Sequence, residues 1–386
     1  MNNLFTKERI SKAITREKPW ATPIFAQLCL GKSQEVLAQR NQIEGWLKNI
    51  PKKKRKDIVA RLARWDDIDH LSAFFELMWH QFFLEEGYKV HNEPVLENGK
   101  TPEFLVDSEK GSFLFEVITA FDEKNLHKKK KITEEILGRV SKISHHYRVS
   151  LSLDSWLDAD FKSSSFLKYI PKQLDLLLAG GVRSQEKYEP VVYRQGEDVI
   201  EMDIYSYQDE RTGILEAVSY PGYSGSLGSK QIKERLREKI KKYRNAVQLQ
   251  TPLIVAVCNE SGNSFTGSSV EYDLFGRPVM YFSIDGSGES SWGRDKSGIF
   301  MQKNADGSPR NTRLSAVIQC TRKWGHTKKY KNGSYVYDMA VFHNPFAAFK
   351  VDEKVFSKLA QYLPYETKTG GVMRWKNKKE NKYVVF

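Results

Sequence analysis

The sequence predicts a mixed α/β protein in which a mixed sheet is flanked by helices. A strongly amphipathic helix over Leu71–Phe83 is followed by three short apolar runs typical of strands. Further on, a basic helix over Lys230–Val247 leads directly into the apolar run Thr251–Cys258. A helix followed by a buried strand is typical of a crossover that adds a strand to the sheet. The segments on either side of this predicted core differ: the N-terminal segment has a helical pattern, and the C-terminal segment has a pattern that favours strands.

Residues 1–66 carry apolar side chains at helical spacing with many polar and basic residues between them. Within them, Pro51-Lys-Lys-Lys-Arg-Lys56 is a compact basic run with the composition of a nuclear localisation signal. We favour a solvated helix start with proline at its first position, and a phosphate-contacting patch is the alternative. Residues 1–66 are therefore predicted to form a basic helical N-terminal region.

The stretch Phe74–Thr119 forms the centre of the predicted core. Its helix has an apolar stripe at i, i+3, i+4, i+7 and i+8 that must pack on a sheet, and Gly87 ends it. Three strands follow over 88–94, 103–106 and 112–119, and Asn98-Gly99 between the first two is a hairpin signal. The third strand is apolar at almost every position, which predicts burial on both faces.

Residues 67–258 are predicted to form one core that carries an insertion at about 124–228. In the insertion we expect a helix, a strand, a second helix and a β-hairpin, over 124–143, 148–153, 166–178, and 199–207 with 213–220. Residues 259–386 are predicted to be a C-terminal α/β elaboration. It is rich in Gly, Ser and Asn at first and then contains the strands Arg313–Gln319 and Val336–Phe342.

Composition limits the classes of protein. The chain has 386 residues and a formal charge of +13, which favours polyanionic partners, with nucleic acid first. Three distant cysteines argue against a disulfide framework and a zinc cluster and fit a reducing compartment. The N-terminal sequence shows no hydrophobic signal segment, and no apolar run has the length of a membrane span. We expect a cytoplasmic protein without a membrane partner.

Three carboxylates in the central stretch are candidate metal ligands: Glu76 beside the helical stripe, Glu103 at the start of the second strand, and Glu116 near the end of the third. The relevant ends of an antiparallel hairpin lie side by side, so Glu103 and Glu116 are expected to be adjacent. An isolated carboxylate in a buried strand is costly, so Glu116 must either pair with a cation or have a raised pKa. For Glu103 and Glu76 the alternative is ordinary solvation.

These residues resemble the PD-(D/E)XK nuclease superfamily and an uncharacterised bacterial group with that core. The segments that carry the resemblance are PEFLV at 102–106, FEVIT at 115–119, the pair REKIKKY and TPLIVAV, and FHNPFA at 342–347. The resemblance implies a restriction-endonuclease-like sheet and Mg²⁺-dependent cleavage of DNA, with Mn²⁺ as a substitute and RNA as the alternative substrate. It also implies that Glu76, Glu103 and Glu116 hold the metal.

The sequence departs from the superfamily pattern at two positions. Glu103 replaces the usual aspartate, and Ile118 stands where a lysine is expected. Some members recruit the cation from the following helix, and Lys239 is our first candidate here, with Lys242 next. Lys239 shares one helical face with Arg235 and Tyr243.

Basic residues supply the expected contacts to nucleic acid. They are Lys128, Lys129, Lys230, Arg235 and Lys242. A role in bacterial defence or restriction is implied by the resemblance alone. The expected partners are then a protein of the same defence system or a second copy of the chain, since a homodimer could cut both strands. The alternative is a catalytically inactive nuclease fold that binds nucleic acid or docks a partner, which the loss of lysine at 118 favours. A third interpretation is an interaction protein with no nucleic-acid role.

Overall fold

The computed structural model describes residues 3–15, 23–119, 124–182, 189–196, 198–219, 229–243, 250–260, 267–282, 290–323, 336–367, 370–377 and 384–385. The chain divides into two compact units. The first comprises Met1–Ile14, Pro23–Phe121 and Gly225–Phe386, and the second comprises Thr15–Thr22 and Asp122–Ser224. The second unit covers nearly the range for which the sequence predicts an insertion.

The described helices are α1 Lys7–Thr15, α2 Ile24–Leu30, α3 Gln34–Asn49, α4 Lys52–Leu62, α5 Asp67–Glu85, α6 Lys124–Val140, α7 Ser163–Ala179, α8 Ser229–Lys242 and α9 Gly267–Phe275. The strands are β1 Lys89–Asn92, β2 Phe104–Ser108, β3 Gly111–Thr119, β4 Ser144–Leu153, β5 Val191–Gln195, β6 Asp198–Gly213, β7 Leu215–Ser219, β8 Leu253–Glu260, β9 Pro278–Phe282, β10 Ser290–Arg294, β11 Leu314–Lys323, β12 Val336–His343, β13 Ala360–Thr367, β14 Gly370–Lys376 and β15 Val384–Val385. Short 3₁₀ turns lie at Ile299–Met301 and Glu353–Phe356.

The main sheet of the first unit is mixed, with the strand order β1-β2-β3-β8-β11-β12-β13-β14 and β15 beside β12. β1, β2 and β3 pair antiparallel, as the hairpin signals predict. β8 then lies parallel to β3, so the predicted crossover through α8 is confirmed. The C-terminal strands extend the same sheet, with β11 parallel to β8. The predicted class, a mixed sheet flanked by helices, is therefore observed.

The two faces of β3 pack against different helices. Phe115 contacts α5 through Trp79 and Phe83, with ring centroids 4.9 and 4.8 Å apart. On the other face, Leu114 and Ile118 share a hydrophobic cluster with the apolar residues of α8. Every residue of β3 from Phe113 onward is buried, which confirms the prediction from its composition. Side chains alternate along a strand, so Glu116 must point to the α8 face.

The N-terminal helices share the core of the first unit. Trp46 of α3 packs on Phe74 of α5 with ring centroids 6.0 Å apart, and Leu62 of α4 is fully buried in the same cluster. Pro51 immediately precedes α4, and Lys52 and Lys53 in its first turn are exposed. The basic run is therefore a helix start, as predicted, although Lys54 turns inward, with 11% of its side chain exposed.

The second unit contains a four-stranded sheet with the order β5-β6-β4-β7, among the residues that the structure describes. The predicted hairpin between residues 199–207 and 213–220 is wrong. β6 continues to Gly213, and β7 pairs in parallel with β4. The chain turns at Ile214, whose N–H donates to the carbonyl of Ile143. Apolar alternation marks both segments as strands, but it leaves the pairing partner unspecified.

None of the described helices combines the length and the apolar character that crossing a membrane would require.

Candidate active site

The backbone pairing of β2 with β3 brings two carboxylates together. Phe104 pairs with Phe115, so the next step of the same register places Glu103 opposite Glu116. Glu103 lies just before β2, where its carboxylate accepts a hydrogen bond from the backbone N–H of Val117. The adjacency that the sequence predicts for these two acids is therefore observed.

Lys239 of α8 joins the two carboxylates. Its ammonium donates to Oε2 of Glu116 and lies 3.3 Å from Oε1 of Glu103. Helix α8 buries Ile232, Leu236 and Ile240 against the sheet face that carries Glu116. Residue 239 therefore lies at the margin of this buried stripe, where a long side chain reaches the carboxylates. The lysine comes from more than a hundred positions downstream, as predicted.

Lys242, the last residue of α8, and Tyr243, which follows it, complete the environment of Glu116. The Lys242 ammonium lies 2.8 Å from Oε1 of Glu116 and 2.8 Å from the carbonyl oxygen of Thr101. The Tyr243 hydroxyl also donates to Oε1 of Glu116. Both oxygens of this fully buried carboxylate therefore accept hydrogen bonds from charged or strongly polar donors. Such charge-assisted bonds stabilise a buried anion.

The pKa values of the two acids shift in opposite directions. Burial alone would raise the pKa of Glu116, but Lys239, with hydrogen bonds from Lys242 and Tyr243, holds that pKa below its usual value. Burial and the neighbouring Glu116 raise the pKa of Glu103 to about 8, although Lys239 opposes the shift. At neutral pH the pair is therefore one carboxylate and one largely protonated acid.

The raised pKa of Glu103 predicts a pH-dependent contribution to stability. A group whose pKa rises from 4.5 to about 8 on folding stabilises the protein fully below pH 4.5, and this contribution is lost as the pH rises through 8. Between pH 5 and 9 we therefore expect the wild type to lose free energy of unfolding relative to Glu103→Gln. Urea unfolding at several pH values measures this difference. If the free energies of unfolding of the two proteins changed in parallel with pH, the raised pKa of Glu103 would be contradicted. The control is Glu93→Gln, because 53% of the Glu93 side chain is exposed.

The structure shows why isoleucine can stand at position 118, where the motif has a lysine. Ile118 is 4% exposed and lies on the same face as Glu116, packed among apolar residues of α8. Its position is therefore occupied by core packing, and the cation comes from the opposing helix. Arg235 donates to the carbonyl oxygen of Thr119 at 2.6 Å, so it fastens α8 to the end of β3. The predicted common face of Arg235, Lys239 and Tyr243 is confirmed.

Glu76 has a different environment from the other two acids. It forms a bidentate pair with Arg61 of α4, at 2.7 and 2.6 Å, and lies 3.4 Å from the Lys54 ammonium. It belongs to α5, which packs on the β3 face opposite Glu116. Among the described residues, no group of three His, Cys, Asp or Glu side chains is placed to hold a metal ion. The structure therefore joins Glu103 with Glu116 and leaves Glu76 with Arg61.

An open cleft lies beside Glu103 and Glu76. It has a volume of about 250 Å³, and Glu76, Glu103, Arg61, Lys54 and Lys242 lie along its wall. Glu103 and Glu76 thus face the same solvent-accessible space, although their salt-bridge partners differ. A substrate that enters from this side can therefore reach Glu103, whereas Glu116 is fully buried and does not line the cleft.

The other basic candidates are distributed differently. Lys129 of the second unit forms a 2.5 Å ion pair with Asp158. The side chains of Lys128 and Lys230 lie outside the described residues, although their backbones belong to α6 and α8. Arg235 and Lys242, predicted as nucleic-acid contacts, bind the backbone carbonyls of Thr119 and Thr101.

Lys54, Arg61 and the hydrogen bond of Tyr243 belong to the site but are not predicted from the sequence. Lys54, Asp57 and Arg61 follow one another at i, i+3 and i+7, so they share one face of α4, and this spacing was a usable signal. Nothing in the sequence indicates that this face meets Glu76. Tyr243 was placed on the correct helical face, but its hydrogen bond to Glu116 depends on the packing of α8.

Comparisons with protein-family models, curated proteins and solved structures return no match to this chain.

Proposed function

We propose that this protein is a metal-dependent endonuclease of the PD-(D/E)XK type that hydrolyses phosphodiester bonds in DNA. The observation that carries the proposal is the position of Lys239 between Glu103 and Glu116. Two acids on adjacent strands and one lysine are the side chains that such a hydrolase needs, and here they come from three separate segments. A restriction-endonuclease-like core is consistent with β1–β3 followed by the crossover to β8.

Glu103 and Glu116 fit a divalent cation. Mg²⁺ is usually held by one or two carboxylates, with water and substrate phosphate as the remaining ligands. The two acids converge on a single ammonium, and the proximity of Glu116 helps to raise the pKa of Glu103, so a second positive charge would favour the ionised form of Glu103. When bound, Mg²⁺ or Mn²⁺ would lower the pKa of a water molecule and offset charge on the transferring phosphate.

Lys239 acts in this scheme as a permanent cation. Burial disfavours its charged form, but Glu103 and Glu116 outweigh that effect and raise its pKa above the usual value. A lysine that keeps its proton donates hydrogen bonds and stabilises negative charge, and it does not serve as a general base. Lys239 is therefore assigned to neutralising charge on the phosphate in the transition state.

The remaining charges suit DNA as the substrate. The chain carries a formal charge of +13, which favours a polyanionic substrate. Lys54, Arg61 and Lys242 line the cleft beside Glu103, but each is paired with a glutamate, so a phosphate would contact them by exchanging with those acids. RNA is the alternative substrate, and a homodimer would bring two such sites to the two strands. A role in bacterial defence or restriction is part of the same proposal.

A second candidate function has one specific observation in its favour. Both oxygens of Glu116 already accept hydrogen bonds, from Lys239 on one side and from Lys242 and Tyr243 on the other. A site neutralised in this way is complete without a metal. The alternative is therefore a catalytically inactive nuclease fold that binds nucleic acid or docks a partner.

Incubation with supercoiled plasmid and with a structured RNA tests the two functions. The nuclease proposal predicts plasmid cleavage with Mg²⁺ or Mn²⁺, none in EDTA, and little cleavage of RNA. Because Glu103 must lose its proton to bind a cation, the rate should rise as the pH passes from 7 to 9. Cleavage by the wild type that persists in EDTA would contradict the proposal. DNA binding that weakens steeply with salt, without any cleavage, would support the inactive module.

A further inference from the structure

A second cleft in the first unit, separate from the carboxylates, is lined by cations. It has a volume of about 490 Å³, within the usual range of about 300–1,000 Å³ for small-ligand pockets. Its cationic residues are Arg237 and Lys241 of α8 with Arg310 and Arg313 of the segment before β11. Among the described residues that line it, none is acidic. Four cations without a lining carboxylate favour an anionic ligand.

Arg313 is the central observation. It is 8% exposed, and its Nη1 donates to the carbonyl oxygen of Thr251 at 2.7 Å. Its Nε and Nη2 are buried and have no hydrogen-bond partner within the described part of the chain. These two nitrogens lie along one edge of the guanidinium and form the fork that binds two oxygens of a phosphate or carboxylate. Buried donors of this kind are costly when unpaired, so the fork points to a ligand.

The wall of this cleft is held by its own hydrogen bonds. Asn311 has a left-handed backbone with φ of 60°, and its amide donates to the carbonyl oxygen of Ile299 at 2.9 Å. Asn344 donates to the carbonyl of Leu314 at 2.8 Å, and the Arg310 N–H donates to the carbonyl of Gln302 at 2.8 Å. The Arg313 guanidinium also lies over the ring of Phe349, at 5.5 Å. The cations are therefore presented on a segment with fixed geometry.

Arg237 and Lys241 stand one helical turn apart on α8 and are exposed. With Arg310, also exposed, they can approach the outer oxygens of a ligand whose inner oxygens meet Arg313. A phosphate group suits this arrangement better than a carboxylate, because it carries more oxygens and more charge. The volume of the cleft, about 490 Å³, also leaves room for a group attached to the phosphate.

We propose that this cleft, named here the Arg313 pocket, binds a phosphate monoester, either of a free nucleotide or of the end of a nucleic acid strand. None of its cationic residues contacts Glu103 or Glu116 among the described contacts, although Arg313 interacts electrostatically with Tyr243, which donates to Glu116. Phosphate binding is therefore measured in EDTA, without cleavage. Loss of phosphate binding and absence of DNA cleavage are therefore distinguishable results.

Calorimetric titration of the full chain in EDTA tests the Arg313 pocket, with thymidine 5′-monophosphate as the probe and thymidine as the matched control. We expect the monophosphate to bind and thymidine not to bind. Arg313→Lys keeps the charge and removes the fork, so affinity should fall by about tenfold or more. Because Arg313 also contacts Thr251, the double variant Arg237→Ala and Arg310→Ala, on exposed side chains, should show a similar loss without a change in folding.

Two controls make the result specific. Lys168→Ala with Lys172→Ala removes the same charge from exposed positions of α7 and should leave the affinity unchanged. Glu103→Gln should abolish cleavage and keep the phosphate affinity. Equal binding of thymidine, unchanged affinity in both Arg313-pocket variants, or an equal loss in the α7 double variant would each overturn the proposal.

Competition distinguishes the two sources of phosphate. The monophosphate is competed with a 5′-phosphorylated hexanucleotide and with the same strand carrying a 5′-hydroxyl. Displacement by the phosphorylated strand alone assigns the pocket to a strand end. Displacement by neither strand assigns it to a free nucleotide. Both results support a phosphate monoester site. Equal displacement by the two strands would overturn the monoester assignment, because internal phosphodiesters would then be sufficient.

Discussion

Glu116→Gln is expected to reduce DNA cleavage by about 10²–10³-fold, the usual loss when one preorganised electrostatic contact at a reacting centre is removed. The substitution keeps the shape of the side chain but removes the charge that Lys239 and a divalent cation would share. The Tyr243 hydroxyl and the Lys242 ammonium can still donate to the amide oxygen, so the fold should be retained. Initial rates on supercoiled plasmid at saturating Mg²⁺ measure the effect.

The matched control for this variant is Glu93→Gln, on an acid that lines the cleft beside Glu103. Glu93 pairs with Lys54 at 2.5 Å, and its side chain is 53% exposed. Since exposed ion pairs contribute only about 0–1 kcal/mol, this variant should cleave within about fivefold of the wild type. Circular dichroism and a urea unfolding curve show whether Glu116→Gln is folded. A folded Glu116→Gln protein that cleaves at the wild-type rate would remove the nuclease proposal.

Lys239→Met is expected to lower the free energy of unfolding by up to about 3–5 kcal/mol, because the buried Glu116 loses the ammonium on Oε2 and keeps Lys242 and Tyr243 on Oε1 alone. Glu116 is fully buried, and the Lys239 side chain is 22% exposed, so solvent cannot replace the lost charge efficiently. In the variant, the pKa of Glu116 should rise, because Lys239 makes the largest contribution that lowers it. The destabilisation should therefore be largest well above pH 4.5 and shrink as the pH falls and the acid is protonated.

Urea unfolding of Lys239→Met at pH 5 and pH 8 checks both the size and the direction of this effect. Lys129→Met is the control, because Lys129 and Asp158 form an exposed pair, and its loss should cost less than about 1 kcal/mol. The double variant Lys239→Met with Glu116→Gln should be more stable than Lys239→Met alone, since the uncompensated charge is gone. A double variant whose losses simply add would show that Lys239 and Glu116 are not coupled.

The sequence predicted the elements that build the site because their signals are local. The apolar stripe from Leu71 to Phe83 identified α5, and the continuous apolar run ending at Thr119 identified a buried β3. An acid inside such a run is costly, so Glu116 was recognised as a residue that needs a partner. The position of Glu103 beside Glu116 followed from hairpin register, because a short turn fixes which residues of two strands face each other.

The same local signals did not predict which strands pair or which distant side chains form ion pairs. The strand signals around residues 199–220 were correct, yet β7 pairs with β4, because alternation describes one strand and not its neighbour. Arg61 and Lys54 bind Glu76 because α4 packs on α5, which no spacing within either helix records. Arg313 is apparent as a candidate only once its burial and its unpaired edge are known.

The sequence by itself determined that this chain forms a mixed sheet flanked by helices, with two acids side by side on its hairpin and a lysine-rich helix before the next strand. Tertiary structure alone decided which acid meets which cation. Glu116 points to the α8 face and is held by Lys239, whereas Glu76 belongs to the helix on the opposite face and is held by Arg61. The reason is that hydrophobic periodicity sets which face of an element is buried, while the pairing of buried charges depends on the distances between elements that are far apart in the chain.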